Sequence, residues 1–452
     1  MKTSLVWRLS GAALALWMSA GAAGAQEKFQ QALTPAGLPF WHLQRAEEPR
    51  ALIVGSFADA FALNHPDKIA AAVVGATMID YGPKGIKAGD YNEQLKDYQA
   101  GCNVSSEPML STFSAEARAE DFGAALDLCL QPLMDPALRE RDFERLRKSS
   151  VVNRARLETN RSALASFLTR RLTWGSAPFS RWSEPEEIAK IDADGVELWK
   201  REVFARDNVT IVAIGPLDAA TFGKLIDHSF GRLPEHAVAA KGEVPSPVYP
   251  GKTIVFESAG DQTVLVMEGA LSIESPESQA ANIGNNVLGG GLDRRLGKAV
   301  RGEQGATYGI SSSIGAVAPG KRIFSIRSAL ANDLAPAAIQ RVREVTESWR
   351  NEGVSEREAA LSRSLLATSF ERGLERIGSK ASALLSMLRA GRTAEDEALY
   401  ADRMRATPTE EVNRVLRERM PQTMTTLLVA PKADGLGADC VVRNIKDIET
   451  CR

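Results

Sequence analysis

The two halves of this 452-residue sequence repeat the same series of landmarks. A strand-like run of aliphatic residues ends just before Pro216, and a similar run ends immediately before Pro431, 215 residues later. Earlier in each half, the helix-like segments that start near Glu140 and Glu356 lie 216 residues apart. A repeat with this period predicts two copies of one structural unit rather than a single large core.

The segment between the halves, 237–252, has the composition of a linker. It contains three prolines and two glycines and has no periodic apolar face, which is typical of a connection between domains. We therefore expect an N-terminal domain over 26–236 and a C-terminal domain over 253–436. A cysteine-containing tail over 437–452 follows the second domain.

Strand-like and helix-like segments are segregated within each half. Short apolar runs such as 52–54 and 264–267 have strand character, whereas 142–172 and 355–388 have helical spacing of apolar residues. This arrangement predicts an α+β fold of two homologous domains. Each domain is expected to have a mainly antiparallel sheet with helices packed on one face.

The N-terminus has the features of a secretory signal peptide over 1–25. Lys2 and Arg8 form a basic head, an apolar core follows over 9–18, and Ala23-Gly24-Ala25 matches an A-x-A cleavage site. We expect a periplasmic or secreted product without stable membrane insertion, because no later run of about 18 apolar residues is present.

Charge and histidine content restrict the classes of function. Lys and Arg total 55 against 57 Asp and Glu, a net charge of −2. No basic excess is available to neutralise phosphates, so nucleic acid is not an expected partner. The four histidines, His42, His65, His228 and His236, have no pair at helical spacing. No helix can therefore present two histidines to one metal ion.

The four cysteines suit an oxidising compartment. Cys440 and Cys451 close a short loop in the polar tail, and we expect them to form a disulfide. For Cys102 and Cys129 two readings stay open: a second disulfide, or a Cys129 that is simply a small buried apolar residue. None of the spacings is C-x-x-C, which argues against a redox or zinc role.

Residues 289–309, GGGLDRRLGKAVRGEQGATYG, form the most distinctive stretch of the chain. The stretch has no G-K-[ST] and no G-x-G-x-x-G, so it does not predict a nucleotide site. It matches L-x-x-x-[LV]-R-x-x-x-G-x-x-Y with Leu296, Val300, Arg301, Gly305 and Tyr308. With this motif, the duplication and the chain length, the sequence resembles the pitrilysin/insulinase family of inverted zinc peptidases, in the branch that includes mitochondrial processing peptidase.

The resemblance also locates a degenerate metal site. Active members of that family bind zinc through H-x-x-E-H on a first-domain helix, with the Glu as general base. Aligned on Met78 and Gly82, the equivalent positions here hold Val73, Ala76 and Thr77. These residues neither ligate zinc nor move a proton. The resemblance thus implies that this chain binds no cofactor and that zinc belongs to a partner subunit.

By the same resemblance, this is the non-zinc-binding subunit of a periplasmic heterodimeric metallopeptidase, inactive alone. Its partner would be a homologous subunit with H-x-x-E-H, and its substrate an unfolded peptide. Arg301 would grip a substrate carbonyl, and Tyr308 would donate to the developing oxyanion.

Two alternatives remain. In the first, the chain would be a catalytically dead scaffold or peptide-binding protein. In the second, Arg301 and Tyr308 would have only local roles. In the second case Arg301 would pair with Glu303 or be solvated, and Tyr308 would be a half-buried strand aromatic.

Overall fold

The computed structural model describes residues 28–452 except 108, 176, 181–183, 242, 274–276 and 319–320. The predicted signal peptide over 1–25 lies outside the described residues. Within those residues, no helix is both long and apolar enough to cross a membrane.

Each half of the chain builds a six-stranded sheet. The strands of the first sheet are β1 (Gln30–Leu33), β2 (Pro39–Gln44), β3 (Arg50–Ala58), β4 (Gly101–Glu107), β5 (Leu110–Arg118) and β6 (Val209–Gly215). Their order is β1-β2-β6-β3-β5-β4, with only β2 and β6 parallel.

The second sheet contains β7 (Thr253–Glu257), β8 (Gln262–Leu271), β9 (Thr307–Ala318), β10 (Lys321–Ala331), β11 (Thr425–Ala430) and β12 (Cys440–Val442). Its order is β12-β7-β11-β8-β10-β9, and β7 runs parallel to both β11 and β12. The other pairs are antiparallel.

Helices occupy corresponding places in the two halves. Those of the first half are α1 (Phe61–Asn64), α2 (Ala70–Ile79), α3 (Ala88–Asp97), α4 (Phe122–Met134), α5 (Glu140–Thr159), α6 (Arg161–Trp174), α7 (Pro185–Ile188), α8 (Ala193–Val203) and α9 (Ala219–Phe230). Those of the second half are α10 (Ser278–Gly289), α11 (Ala335–Glu352), α12 (Glu356–Gly373), α13 (Ile377–Arg389), α14 (Ala394–Ala398), α15 (Tyr400–Ala406) and α16 (Thr409–Arg419).

The two long helix-like segments of the sequence are each divided in two. Residues 142–172 break between α5 and α6 because Asn160 leaves the helical conformation, and its side chain accepts a hydrogen bond from the Ala163 N–H at 3.1 Å. Residues 355–388 break between α12 and α13, where Arg376 has extended backbone angles.

One face of each sheet packs on helices of its own half. The first core includes Phe57, Phe113 and Trp199, and the second includes Phe324 and Trp349, all almost fully buried. Burial of large apolar side chains between a sheet and its helices is the main stabilising contribution in such layers. The prediction of an α+β fold with two similar, mainly antiparallel domains is confirmed.

The opposite face of each sheet is covered by a helix from the other half. Leu164 and Leu168 of α6 lie in one buried cluster with residues of β7, β8 and β11. Reciprocally, Leu384 and Leu385 of α13 pack with residues of β2, β3 and β6. This exchange of helices joins the halves through two apolar interfaces.

Both pairs of cysteines are joined. Cys440 and Cys451 form a disulfide with their Cα atoms 5.9 Å apart, and this disulfide links β12 to the last helical turn of the chain. Cys102 of β4 is bonded to Cys129 of α4, with Cα atoms 5.4 Å apart. Of the two readings that the sequence left open for Cys129, the structure selects the disulfide.

Candidate functional site

Helix α2 presents no metal-binding chemistry at the three positions where the resemblance expects it. Val73 is 57% exposed and Ala76 is buried. The Thr77 hydroxyl donates a hydrogen bond to the Val73 carbonyl oxygen at 3.0 Å. Zinc in proteins takes thiolate, imidazole or carboxylate ligands, so these residues do not fit the zinc ion that the fold family implies. Within the described ranges, no group of three or more His, Cys, Asp or Glu residues could hold a metal ion.

His65 lies near this helix, but its side chain already contacts other residues of the first half. It follows α1, its Nε2 lies 2.9 Å from both carboxylate oxygens of Glu202, and its ring packs on Phe61 with centroids 4.7 Å apart. These contacts give His65 a structural role in the first core.

Arg301 and Tyr308 lie on either side of a tight turn in the second half. Arg301 is exposed on a π-helical segment, Gly297–Glu303, and Tyr308 follows the first residue of β9. The Gly305 N–H donates to the Arg301 carbonyl oxygen at 3.1 Å, and the Ala306 N–H donates to that of Val300 at 3.0 Å. Gly305 has φ +64°, which an L side chain rarely adopts. The turn therefore brings the start of β9 beside the end of the helical segment.

The base of this segment is firmly held. Leu296 and Val300 are fully buried in the second core. The guanidinium of Arg295 makes two hydrogen bonds of 2.8 Å to the carboxylate of Glu358, which also caps the start of α12. The hydrogen bonds from Arg295 lower the pKa of Glu358 to about 2. A fixed base of this kind allows Arg301 to be exposed without the segment being loose.

Of the local roles considered as an alternative, the structure has a solvated Arg301 but neither an Arg301–Glu303 pair nor a half-buried Tyr308. Glu303 forms an ion pair with Arg341 at 3.1 Å, and the side chain of Arg301 makes no hydrogen bond or ion pair within the described part of the chain. Tyr308 is 89% exposed, so the expectation of a half-buried strand aromatic is wrong. A tyrosine with so little burial gains almost nothing for the fold from its ring.

Helix α10 has a set of amide side chains that its sequence did not single out. Asn282, Asn285 and Asn286 have the same spacing as Val73, Ala76 and Thr77 on α2. The Nδ2 of Asn285 donates to the Ser312 carbonyl oxygen of β9 at 3.4 Å, and its Oδ1 is buried without a hydrogen-bond partner among the described residues.

The packing of α2 and α10 establishes that they are equivalent elements. A Cβ on Gly75 of α2 would lie 2.6 Å from Trp199 of α8, and a Cβ on Gly284 of α10 would lie 2.6 Å from Leu416 of α16. Both glycines permit the same close helix crossing. An alignment of the two halves at Gly75 and Gly284 places the three asparagines opposite Val73, Ala76 and Thr77, and this alignment could have been made from the sequence.

Comparisons with known proteins bear on the fold and on the family that the chain resembles. Residues 190–366 match the family described as Peptidase M16 inactive domain. No curated protein matches the sequence significantly.

Solved structures share the fold over most of the chain. The peptidase M16 inactive domain from Pseudomonas fluorescens is 19% identical with a TM-score of 0.81, over 92% of this chain and 99% of that one. The periplasmic protease PqqL from Escherichia coli is 14% identical with a TM-score of 0.76, over 95% of this chain and 49% of that one. Pitrilysin is 16% identical with a TM-score of 0.68, over 90% of this chain and 45% of that one.

These similarities support the M16, or pitrilysin, superfamily, and it is the inactive type of M16 domain that residues 190–366 match. The chain has the two-domain fold of these proteins and spans about half the length of PqqL and pitrilysin. The assignment to the mitochondrial processing peptidase branch and the roles of Arg301 and Tyr308 stay predictions.

Proposed function

We propose that this chain is the non-zinc-binding subunit of a periplasmic two-chain zinc metallopeptidase, to whose active site it contributes Arg301 and Tyr308. The observation that carries the proposal is the exposure of both side chains on a firmly held turn, with no partner in the described structure. Side chains that are exposed, have no described contact partner and are carried by a rigid segment are suited to contact another molecule.

The lengths of related proteins support a partner of similar size. PqqL and pitrilysin are about twice as long as the part of them that this chain matches. We propose that a separate, homologous subunit with H-x-x-E-H supplies the second half of such an assembly. The predicted signal peptide and the periplasmic location of PqqL support the same compartment for this chain.

The two side chains would act on the peptide rather than on the metal. The guanidinium of Arg301 has fixed donors that suit a main-chain carbonyl or a carboxylate. The hydroxyl of Tyr308 can donate to the oxyanion that forms as the scissile carbonyl is attacked, a contribution of about 3–4 kcal/mol in comparable sites. A zinc ion held by the partner would supply the Lewis acid, because Val73, Ala76 and Thr77 of α2 offer no ligand for one.

The test is to purify the chain with its H-x-x-E-H partner and measure peptide hydrolysis. We expect no turnover by this chain alone. Tyr308→Phe should lower kcat by about 100- to 1000-fold, and Arg301→Ala should lower kcat/KM, both with the complex still assembled. Arg357→Ala, an exposed arginine on α12 without a described ion pair, is the matched control. Full activity in both site variants would overturn the assignment.

A catalytically dead scaffold or peptide-binding protein is the second candidate. It is favoured by the exposed valines Val73, Val151 and Val152 on α2 and α5, since Val73 stands where a catalytic helix carries a metal ligand. It predicts that no partner confers proteolysis while binding of unfolded peptide persists. The activity of the purified complex separates the two functions.

A further inference from the structure

A cavity of about 650 Å³ lies between α13 and the face of the first sheet that α13 covers. Its floor is apolar and consists of Leu52 and Val54 of β3 and Leu385 of α13. Its walls carry hydroxyl and amide groups, those of Asn103, Ser105, Thr112, Ser114 and Ser382. Cavities that bind small molecules have this size and this combination of an apolar lining with a few polar groups.

A pair of hydroxyl groups in this cavity has a counterpart in the second sheet. Ser105 of β4 and Thr112 of β5 are paired across the strands, and their hydroxyl oxygens lie 2.8 Å apart. Ser313 of β9 and Ser325 of β10 are paired in the same way, with hydroxyl oxygens 2.9 Å apart. The two sheets can therefore be aligned residue by residue at these hydroxyl pairs.

This alignment shows that the second half fills the corresponding space with an ion pair. On the third strand, Ser56 pairs with the hydroxyl residue of β5, and Glu268 pairs with that of β10. Two residues further along, on the same face, β5 has Ser114 and β10 has Arg327. Arg327 donates to the buried carboxylate of Glu268 at 2.7 Å. The first half has two serines where the second has this pair.

The covering helices support the same correspondence. Leu168 of α6 and Leu384 of α13 lie 216 residues apart, which is the period of the repeat, and both are fully buried. The same offset relates Ser166 to Ser382. Arg327 also donates to the Ser166 hydroxyl at 3.0 Å, whereas Ser382 lines the cavity. The cavity thus lies where the second half holds a guanidinium between a carboxylate and a hydroxyl group.

The first half brings an arginine to this place from its helix instead of its sheet. Arg389 is the last residue of α13, lines the cavity, and donates to the Ser56 hydroxyl at 3.4 Å. It forms no ion pair among the residues that the structure describes. Glu107, an exposed residue of β4, lines the same cavity but does not contact the guanidinium. The arginine of the second half has its own carboxylate, Glu268, and Arg389 has only a hydroxyl.

We propose that this cavity is a binding site for an aliphatic monocarboxylate, whose carboxylate pairs with Arg389 and whose chain lies on the apolar floor. Guanidinium–carboxylate pairs are among the strongest polar contacts in proteins, and the ligand would supply the group that Glu268 supplies in the second half. Two kinds of molecule have this chemistry, the free C-terminus of a peptide and a short aliphatic acid. The site is separate from Arg301 and Tyr308 and does not depend on their function.

The test is a calorimetric titration of the full chain with three probes. They are the N-acetylated tripeptide Ala-Val-Leu, the same tripeptide with a C-terminal amide, and hexanoate. We expect the tripeptide acid to bind at least about tenfold more tightly than the amide, because the amide has no charge for the arginine. Binding of hexanoate as well would identify the site as one for aliphatic acids in general, and its absence would identify a peptide C-terminus. Equal binding of acid and amide, or no binding of either carboxylate, would overturn the proposal.

Substitutions at the two charged residues test the polarity of the site. Arg389→Gln should weaken binding of the carboxylate at least about tenfold. Arg357→Gln, which changes an exposed arginine on α12 outside the cavity, is the matched control and should bind as wild type does. Glu107→Gln should bind the carboxylate at least as tightly as wild type, since it removes a like charge. Weaker binding by Glu107→Gln would show that the site selects an amine, and the proposal would be wrong.

A double substitution tests the location. Ser56→Glu with Ser114→Arg gives the first half the ion pair of the second and should abolish binding, because the new side chains occupy the cavity. Denaturant unfolding of this variant shows whether it is folded, and Arg389→Gln provides an independent test if it is not. Wild-type affinity in the folded double variant would place the ligand elsewhere and overturn the assignment.

Discussion

Arg301 and Tyr308 owe their exposed positions to residues that are themselves tightly held. Arg295 is next to the buried Leu296 at the base of the π-helical segment, and its two hydrogen bonds to Glu358 connect that base to α12. Glu358 also accepts a hydrogen bond from the Ser355 N–H at 2.9 Å, which completes a capping box. One carboxylate thus fixes both the start of a helix and the segment that presents Arg301.

This arrangement predicts a pH dependence of stability. The pKa of Glu358 is lowered from 4.5 to about 2, so its contribution is fully present above pH 4.5 and is lost as the pH falls toward 2. At pH 7, Glu358→Gln should lower the free energy of unfolding by about 1 kcal/mol, a modest value because the ion pair is partly exposed. Denaturant unfolding at pH 7 and pH 3 checks this, since the difference from wild type should shrink at the lower pH.

Glu352→Gln is the control for this measurement. Glu352 is exposed at the end of α11 and has no ion pair in the described structure. A difference between Glu358→Gln and wild type that is the same at pH 3 as at pH 7 would show that the carboxylate charge is not what stabilises the segment.

At the scale of secondary-structure elements, α6 shows how the halves are joined. Its first residue, Arg161, donates to the carbonyl oxygens of Val429 at 2.7 Å and Ser258 at 3.2 Å, and also to that of Gln262. These carbonyls belong to the second half, whereas Arg161 belongs to the first. The helix therefore caps polar backbone groups at the end of a sheet that its own half does not contain.

Removal of this side chain should weaken the junction. Arg161→Ala leaves three carbonyl groups without their donor, and we expect a loss of about 2–3 kcal/mol in the free energy of unfolding. Arg156→Ala, which removes an exposed arginine from the last turn of α5, should change it by less than about 0.5 kcal/mol. Urea denaturation of both variants makes the comparison, and equal effects would contradict a role for Arg161 at the junction.

Patterns that are local in the sequence predicted where strands and helices lie better than they predicted which of these elements pack together. The aliphatic runs that end before Pro216 and Pro431 are β6 and β11, and the helix starts at Glu140 and Glu356 are those of α5 and α12. These features depend on neighbours in sequence, through side-chain alternation and capping. The reciprocal packing of α6 and α13 could not be predicted, because an apolar helix face does not specify which sheet it covers.

The same distinction between local and long-range features applies to the candidate site. Arg301 and Tyr308 could be proposed from the sequence because their motif is local, and one helix is enough to show that Val73 and Thr77 have no metal-ligating side chains. The hydrogen bond between Asn285 and Ser312 joins residues that lie 27 positions apart in the sequence and meet only once β9 is formed. The edge position of β9 is likewise a property of sheet order, which spacing along the chain does not encode.

At the scale of the whole molecule, the exchanged helices should make the two halves unfold together. Without α13, the buried residues Leu52 and Val212 of the first sheet would be exposed, and without α6 the second sheet would lose an equivalent cover. We expect hydrogen exchange under denaturant to report one common free energy of global unfolding for β3 and β8. Neither half expressed alone should be stable, because each would expose an apolar sheet face.

A single cavity in one interface tests this coupling. Leu384 of α13 is fully buried against the first sheet, so Leu384→Ala should cost about 2–5 kcal/mol. The loss should lower the stability of β8 in the second sheet as much as that of β3 in the first, although α13 covers only the first. Leu361→Ala, at a position 59% exposed on α12, should leave both sheets within about 0.5 kcal/mol of wild type. If Leu384→Ala destabilised β3 alone, the two halves would be independent folding units and the coupling through the exchanged helices would be disproved.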